Sequence, residues 1–224
     1  MNRFSNKTEK YLYSRDVFRK KHQTDFLKLK GDINLLITST NELVASLTLF
    51  FSGKDLRAIE NGFYYGDLVV SYCRSHFIIS DLLLGGELVE ATTLLRKQME
   101  LISRLNELSK GVDIENLIRK TPNLKNLKTG LRKLYALYSE ITHSASPEIM
   151  QILGMEEYEG KMYTVLYPQF QENSYIGLQH QTVCALEFYT WCVNFLVDNF
   201  QDYKDYYDAM LFKTSIEKYQ EIYK

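Results

Sequence analysis

Three side chains able to do chemistry lie close together in the segment YSEITHSASPE, residues 138–148. Glu140 and His143 have the E-x-x-H spacing by which helices in metal-binding bundles hold an ion. Ser139 and His143 are four residues apart, which on a helix places a hydroxyl nucleophile next to a base. The segment therefore suggests two chemical hypotheses, a metal site and a nucleophile–base pair.

The metal hypothesis is the weaker one. Di-metal bundles need two copies of Glu-x-x-His, and the chain has one, because Arg19, Cys73 and Gly177 stand three residues before the other histidines. Cysteine-based zinc patterns, phosphate-binding glycine loops and the G-x-S-x-G elbow are absent from the sequence. We therefore predict no metal site and no cofactor.

A row of cations precedes the Ser139/His143 pair. If residues 122–144 form one helix, Lys125, Lys128 and Arg132 fall on the same face as Ser139 and His143. Cations in a line can bind phosphates, and histidine can move protons near neutral pH. These three residues are the anion-binding candidates. The alternative is a solvated basic face that ends in a histidine by chance.

Arg96 and Glu100 form an i,i+4 pair on the preceding long helix. On an open surface such a pair contributes little to stability. Packed against Ser139 and His143, it would complete a polar network of four groups. Arg96, Glu100, Ser139 and His143 are thus the candidate site.

Helical periodicity dominates the elements that must position this site. Apolar residues step by three and four from Phe26 to Phe50, which predicts one long helix from near Asn6 to Ser52–Gly53, with Gly31 as the place where it would kink. Gly85–Gly86 favours a tight turn between two further helices, and Thr121–Pro122 is typical of a helix start. A short helix is expected after the Asp113 cap and another after Pro147. The segment KMYTVLY, residues 161–167, predicts an extended loop or one arm of a hairpin instead.

The predicted fold is all-α: an up-and-down bundle of about five long helices plus short ones, in a single domain, residues 1–224. Residues 202–224 are expected to add a peripheral C-terminal helix. The most apolar helix, about residues 173–200, should occupy the centre of the bundle. Its heptad-like seam predicts that Thr182, Leu186, Tyr189 and Val193 lie in the core, and His76 is expected to be a hydrogen-bonded core histidine.

Composition excludes several other classes. The formal net charge is −1, so no overall field attracts nucleic acid or anionic lipid. Three cysteines without C-x-x-C favour reduced thiols, and the first residues lack the apolar core of a signal peptide. The apolar segments 33–51 and 175–197 contain polar residues that are costly in lipid. We expect a cytoplasmic protein without membrane contact.

Two segments carry a resemblance to a known group. GELVEATTLLRKQMELISRL, residues 86–105, followed by YALYSEITHSAS, residues 135–146, resembles uncharacterised bacterial helical proteins with an Arg-x-x-x-Glu helix and a Tyr-x-x-Leu-Ser-x-x-x-His helix. These are similar in style to HEPN-type bundles, some of which are metal-independent ribonucleases in toxin and defence systems. The resemblance spans about a quarter of the chain and marks Arg96, Glu100, Ser139 and His143 as the shared polar positions. Tyr138 replaces the usual leucine, and the HEPN motif Arg-x-x-x-x-His does not occur.

Three functional hypotheses follow. The first is a binding or regulatory module in a bacterial defence or toxin context, with RNA or another anionic ligand as its partner. The second is a metal-independent, HEPN-like ribonuclease. The third is a structural helical homodimer. We favour the first, because the ribonuclease motif is missing.

Overall fold

The described part of the chain is almost entirely helical, which confirms the all-α prediction. The computed structural model describes residues 5–28, 32–143, 155–168 and 173–223. These residues form eight α-helices: α1 (Ser5–Lys28), α2 (Ile33–Phe50), α3 (Gly62–Gly85), α4 (Leu88–Ser109), α5 (Ile114–Leu117), α6 (Thr129–Thr142), α7 (Asn173–Asn199) and α8 (Tyr206–Tyr223). A 3-10 turn, Leu124–Asn126, lies between α5 and α6.

One small antiparallel hairpin interrupts the helices. Strands β1 (Met155–Tyr158) and β2 (Lys161–Thr164) pair with Met155 opposite Thr164. Glu159 and Gly160 connect them with φ values of 51° and 73°, as expected for a two-residue hairpin turn. The hairpin-arm alternative for residues 161–167 is thus confirmed for its first part. The short helix expected after Pro147 falls outside the described residues.

The structure has two helices, α1 and α2, where one long helix with a kink at Gly31 was expected over residues 6–53, so the expectation of a single helix is wrong. Helix α2 begins at Ile33, and the two helices pack on different neighbours: α1 lies against α3, whereas α2 contacts α3, α7 and α8. Most of α1 is exposed, and Phe26 is one of its few buried residues. The apolar periodicity across residues 26–50 therefore reflects two separate packing faces.

Helix α7 lies in the middle of the bundle, against α2, α3 and α4. Its fully buried Phe188 stacks on Tyr72 of α3, with ring centroids 4.0 Å apart. Of the four residues predicted in the core, Thr182 is buried, but Leu186, Tyr189 and Val193 are half-buried. Their row faces the last helix: Tyr189 stacks on Phe212 of α8 at 4.2 Å. The C-terminal helix thus covers the seam that the sequence analysis placed in the centre.

A polar network crosses this apolar core. His76 is fully buried, and its Nε2 lies 3.0 Å from Asn41 Oδ1, so Nε2 carries the proton and donates. Ser80 Oγ donates to the same Asn41 oxygen at 3.1 Å. Gln181 of α7 donates to the His76 carbonyl and to Ser80 Oγ, both at 2.8 Å. The expected hydrogen-bonded core histidine is confirmed, and it joins α2, α3 and α7.

The turn between α3 and α4 requires glycine. Gly86 has φ 84°, and the helix ends there with its N–H bonded to the Leu83 carbonyl. A side chain at this position would also meet the ring of His22 of α1 at 2.7 Å. The tight turn predicted from Gly85–Gly86 is present, and it doubles as a contact between α1 and the bundle.

The helix expected from Thr121–Pro122 starts later, at Thr129. Asn123, just before the 3-10 turn, is held extended by bonds to α4: Ser103 Oγ donates to the Asn123 carbonyl at 2.7 Å, and Asn123 N–H donates to Glu107 Oε1 at 2.6 Å. Arg104 donates to the Lys120 carbonyl and forms a buried ion pair with Glu107 at 2.8 Å. These tertiary bonds override the local preference for a helix.

By length and composition alone, α2 and α3 could each cross a membrane. Both contribute to the His76 network, and a core helix of a globular protein passes the same test. The cytoplasmic location remains a prediction.

Phe188 and Leu186 provide a test of which face of α7 is central. Phe188→Ala should lower the free energy of unfolding by about 3–5 kcal/mol, because it removes a fully buried ring and leaves a cavity. Leu186→Ala should cost less, about 1–2 kcal/mol, because that side chain is only half-buried. Urea titration measures both values. Equal losses would contradict the orientation of α7 described above.

His76 predicts an acid dependence of stability. Burial lowers the pKa of His76 from 6.5 to about 3. Between these values the unfolded chain takes up a proton that the folded protein does not, so stability is complete above pH 6.5 and declines as the pH falls. At pH 5 this one group should remove about 2 kcal/mol.

The measurement is urea unfolding at pH 7.5 and pH 5 for the wild type and for His76→Gln, which keeps a donor for Asn41. The variant should show a loss on acidification that is smaller by about 2 kcal/mol. An identical loss in both proteins would show that His76 does not cause it.

Candidate functional site

The structure brings three of the four candidate residues into contact. Helices α4 and α6 are neighbours, and Arg96 Nη1 of α4 lies 3.4 Å from His143 Nε2, at the C-terminal end of α6. Arg96 Nη2 lies 3.4 Å from Glu100 Oε1. Ser139 is one turn before His143 and is half-buried. Its hydroxyl has no hydrogen-bond partner among the described residues.

Tyr135 completes this group and was not identified from the sequence. Its hydroxyl donates to Glu100 Oε1 at 2.7 Å, and the Arg96 guanidinium carbon lies 5.2 Å from the centre of its ring. Burial, together with the Glu100 carboxylate, raises the pKa of Tyr135. We call Arg96, Glu100, Tyr135, Ser139 and His143 the α4–α6 cluster. Tyr135 could have been identified from its spacing, because it precedes Ser139 by four residues, as Ser139 precedes His143.

The contact with Arg96 assigns the tautomer of His143. A guanidinium can only donate, so His143 Nε2 accepts, and a neutral imidazole then carries its proton on Nδ1. His143 is exposed, whereas the Arg96 side chain is 21% exposed and its Nε is buried without a partner within the described part of the chain. Arg96 therefore has more donors than partners, beside a histidine that solvent reaches.

The three anion-binding candidates do not form the continuous stripe expected from one long helix. Lys125 lies in the 3-10 turn, and Lys128 precedes α6 and forms an ion pair with Glu187 of α7. Of the three, only Arg132 lies on α6 with Ser139, in the helix that ends just before His143. The predicted stripe assumed that residues 122–128 are helical. Helix α6 begins only at Thr129, because bonds from α4 hold the preceding segment in another conformation.

Two of the cavities formed by the described residues lie between α4 and α7. The larger, about 880 Å³, is an open cleft between the loop at residues 58–61 and the C-terminal halves of α4 and α7; it contains the Lys128–Glu187 pair, and Trp191 is in its wall. The smaller, about 170 Å³, is a mostly apolar pocket lined by Leu88 and Thr92 of α4 and by residues of α6 and α7. The α4–α6 cluster lines neither of these two cavities, so it is a surface site beside the helix pair.

Tyr138 and His180 meet in the wall of the smaller pocket. The Tyr138 hydroxyl bonds to His180 Nδ1, and their rings pack edge to face at 5.6 Å. Burial lowers the pKa of His180 to about 4, so the ring is neutral and accepts this bond. Tyr138 is itself buried, and through this bond it links α6 to α7.

The fold and the cluster define a helical bundle with a polar surface site on two adjacent helices. Comparison with protein-family models, curated proteins and solved structures gives no match. In the ranges that the structure describes, no group of three or more His, Cys, Asp or Glu side chains could hold a metal ion.

Tyr135 offers a test of the cluster that does not require a ligand. Tyr135→Phe removes the donor from Glu100 and should lower the free energy of unfolding by about 0.5–1.5 kcal/mol. Tyr64→Phe is the matched control, because the Tyr64 hydroxyl has no partner among the residues described. Urea titration of both variants checks this. Equal effects would mean that the Tyr135–Glu100 bond contributes nothing.

Proposed function

We propose that the protein is a binding module for a phosphate-bearing ligand and that it holds the phosphate at the α4–α6 cluster. The observation that carries this proposal is the contact of Arg96 Nη1 with His143 Nε2 at 3.4 Å on an accessible surface. Guanidinium donors are well suited to phosphate oxygens, because they match the geometry of two oxygens at once.

The neighbouring groups support an anion at this place. Glu100 accepts from Tyr135 and faces one end of Arg96, so its charge is already compensated. The free hydroxyl of Ser139 and the Nδ1 proton of His143 are two further donors. Residues 116–139 hold six Lys or Arg and no acid, and of these Arg132 and Lys133 are exposed on α6. A phosphate would meet donors and a local excess of positive charge.

RNA is the ligand that this chemistry favours, since a polyanion can contact both the cluster and the cations of α6. The resemblance to HEPN-type bundles also implies RNA. The bacterial defence or toxin context and the cytoplasmic location belong to this proposal and rest on sequence alone.

Metal-independent RNA cleavage is the second candidate function. The Arg96–His143 contact favours cleavage, because it places a proton acceptor next to a cation. His143 could take the proton from a ribose 2′-hydroxyl as that oxygen attacks phosphorus, and the P–O5′ bond would break as the 5′-oxygen takes a proton from solvent. Arg96 could stabilise the charge that develops on the phosphate. Binding remains the preferred function, because the cluster lies on a surface and not in a cleft that would exclude water.

The test of binding uses a fluorescently labelled single-stranded oligoribonucleotide and measures anisotropy. Arg96→Ala should weaken binding about tenfold or more, which corresponds to the loss of a charge-assisted hydrogen bond. Arg15→Ala is the matched control, because Arg15 is also a helical arginine paired with an acid, Asp16, but lies on α1. The slope of log Kd against log salt should become shallower by the amount expected for the loss of about one phosphate contact, and only in the Arg96 variant.

Further measurements distinguish free phosphate from RNA as the ligand, and binding from cleavage as the function. Competition by inorganic phosphate at millimolar concentrations would identify a site for free phosphate, whereas its failure to compete would indicate the RNA backbone. Cleavage of the oligonucleotide in EDTA by the wild type but not by His143→Ala would establish the ribonuclease instead. Equal RNA and phosphate affinities for the wild type and the Arg96 variant would exclude the proposed site.

A further inference from the structure

Helix α3 presents an apolar face to solvent. Phe63, Val70, Phe77 and Ile78 are 68%, 41%, 40% and 51% exposed, and together with two charged residues they lie within about 100° on the helix. This face extends about 22 Å along α3, from residue 63 to residue 78. A solvated helix face normally carries charged and polar residues, and contiguous exposed apolar surface marks interaction sites.

The two charges on this face have opposite signs. Asp67 and Arg74 are seven residues apart and both exposed. Neither forms an ion pair with another residue in the described ranges. A face with one acid and one base, separated by two helical turns and surrounded by apolar side chains, has the charge pattern of a surface that can pair with itself.

A two-fold axis between residues 70 and 71 pairs both charges of the face. If a second α3 runs antiparallel across this axis, Asp67 lies opposite Arg74 of the second copy, and Arg74 lies opposite its Asp67. Phe63 then lies opposite Ile78 of the second copy, because both are equally distant from the axis. This is the self-complementary arrangement of an isologous dimer interface, in which the same patch serves both subunits.

The structure also has a place for the protruding ring. A groove of about 530 Å³ runs along one edge of the face, where Asp67, Val70, Arg74 and Ile78 of α3 meet Leu94 and Lys97 of α4. Phe63 of a second copy, opposite Ile78, would reach this groove. Lys97 adds a second cation near the position of the second copy's Asp67.

We propose that two copies of this protein associate through antiparallel α3 helices, with Asp67 and Arg74 as reciprocal ion pairs and Phe63 inserted in the groove of the other copy. This dimer is independent of phosphate binding, since the face contains none of the residues of the α4–α6 cluster. A lipid surface suits the face less well, because Asp67 and Arg74 occupy its centre, where burial in hydrocarbon would be costly.

Charge reversal tests the reciprocal pairs, with sedimentation equilibrium as the measurement. The wild type should dimerise with a Kd in roughly the micromolar range of modest interfaces. Asp67→Arg and Arg74→Asp should each raise the Kd about tenfold or more, because each sets like charges opposite one another twice. The double variant Asp67→Arg/Arg74→Asp should restore the dimer, because the reversed charges pair again.

Phe63→Ala tests the apolar contact and should also raise the Kd about tenfold, while Leu49→Ala, at 70% exposure on α2, should leave it unchanged. The proposal would be overturned if the wild type stayed monomeric at about a hundred times the expected micromolar Kd. It would also be overturned if the double variant dimerised more weakly than either single variant. Flotation of the wild type with phosphatidylcholine vesicles, lost in Phe63→Ala, would assign the face to lipid instead. Circular dichroism confirms that every variant is folded.

Discussion

The position of α6 depends on one buried ion pair of α4. Arg104 and Glu107 are 5% and 6% exposed and pair at 2.8 Å. Each then binds the chain before α6: Arg104 donates to the Lys120 carbonyl, and Glu107 accepts from the Asn123 N–H. A buried pair is costly to desolvate, but removal of one partner strands the other charge, at about 3–5 kcal/mol. The same two side chains thus neutralise each other and fix where α6 approaches α4. The contact between Arg96 and His143 follows from that approach.

The four histidines divide by their surroundings into two groups. His22, His76 and His180 have lowered pKa values because they are buried, and each bonds to a fixed partner. His22 bonds to the Leu84 carbonyl and Ser174, His76 to Asn41, and His180 to Tyr138. These three connect helices in their neutral form. His143 is the exposed one, and its contact is a cation, so it is the histidine whose surroundings suit ligand chemistry.

Much of this architecture was predictable from local sequence, and the reasons for the failures are tertiary. Helical periods identified most of the long helices, and Gly85–Gly86 identified the turn, because these depend on residues near in sequence. The late start of α6 could not be predicted, since it depends on bonds from Ser103 and Glu107 to residues about 16–20 positions away. The prediction of which face of α7 points inward was wrong for a similar reason. Helix α8 covers the row that contains Tyr189, and the sequence of α7 alone does not indicate this contact.

The candidate site shows the same division. The sequence predicted that the Arg96–Glu100 pair meets His143, and the structure shows Arg96 in contact with both Glu100 and His143. The prediction was possible because the spacing placed Arg96 and Glu100 on one helical face, and Ser139 and His143 on another. The contribution of Tyr135 depends on the rotation of α6 against α4, which a single helix does not specify. The pairing of Tyr138 with His180 joins residues 42 positions apart and left no signal in either segment.

Trp191 gives the molecule a built-in optical probe. It is the single tryptophan of the chain, it is 7% exposed, and its indole N–H donates to Ser109 Oγ at the end of α4 at 2.8 Å. Its ring stacks on Phe195 at 5.1 Å and on Tyr65 of α3 at 5.7 Å, in the wall of the large cleft. The emission wavelength of this one fluorophore therefore reports how closely α3, α4 and α7 are joined at that end of the bundle. Water that enters between these helices would shift the emission to the red while the helices themselves remain intact.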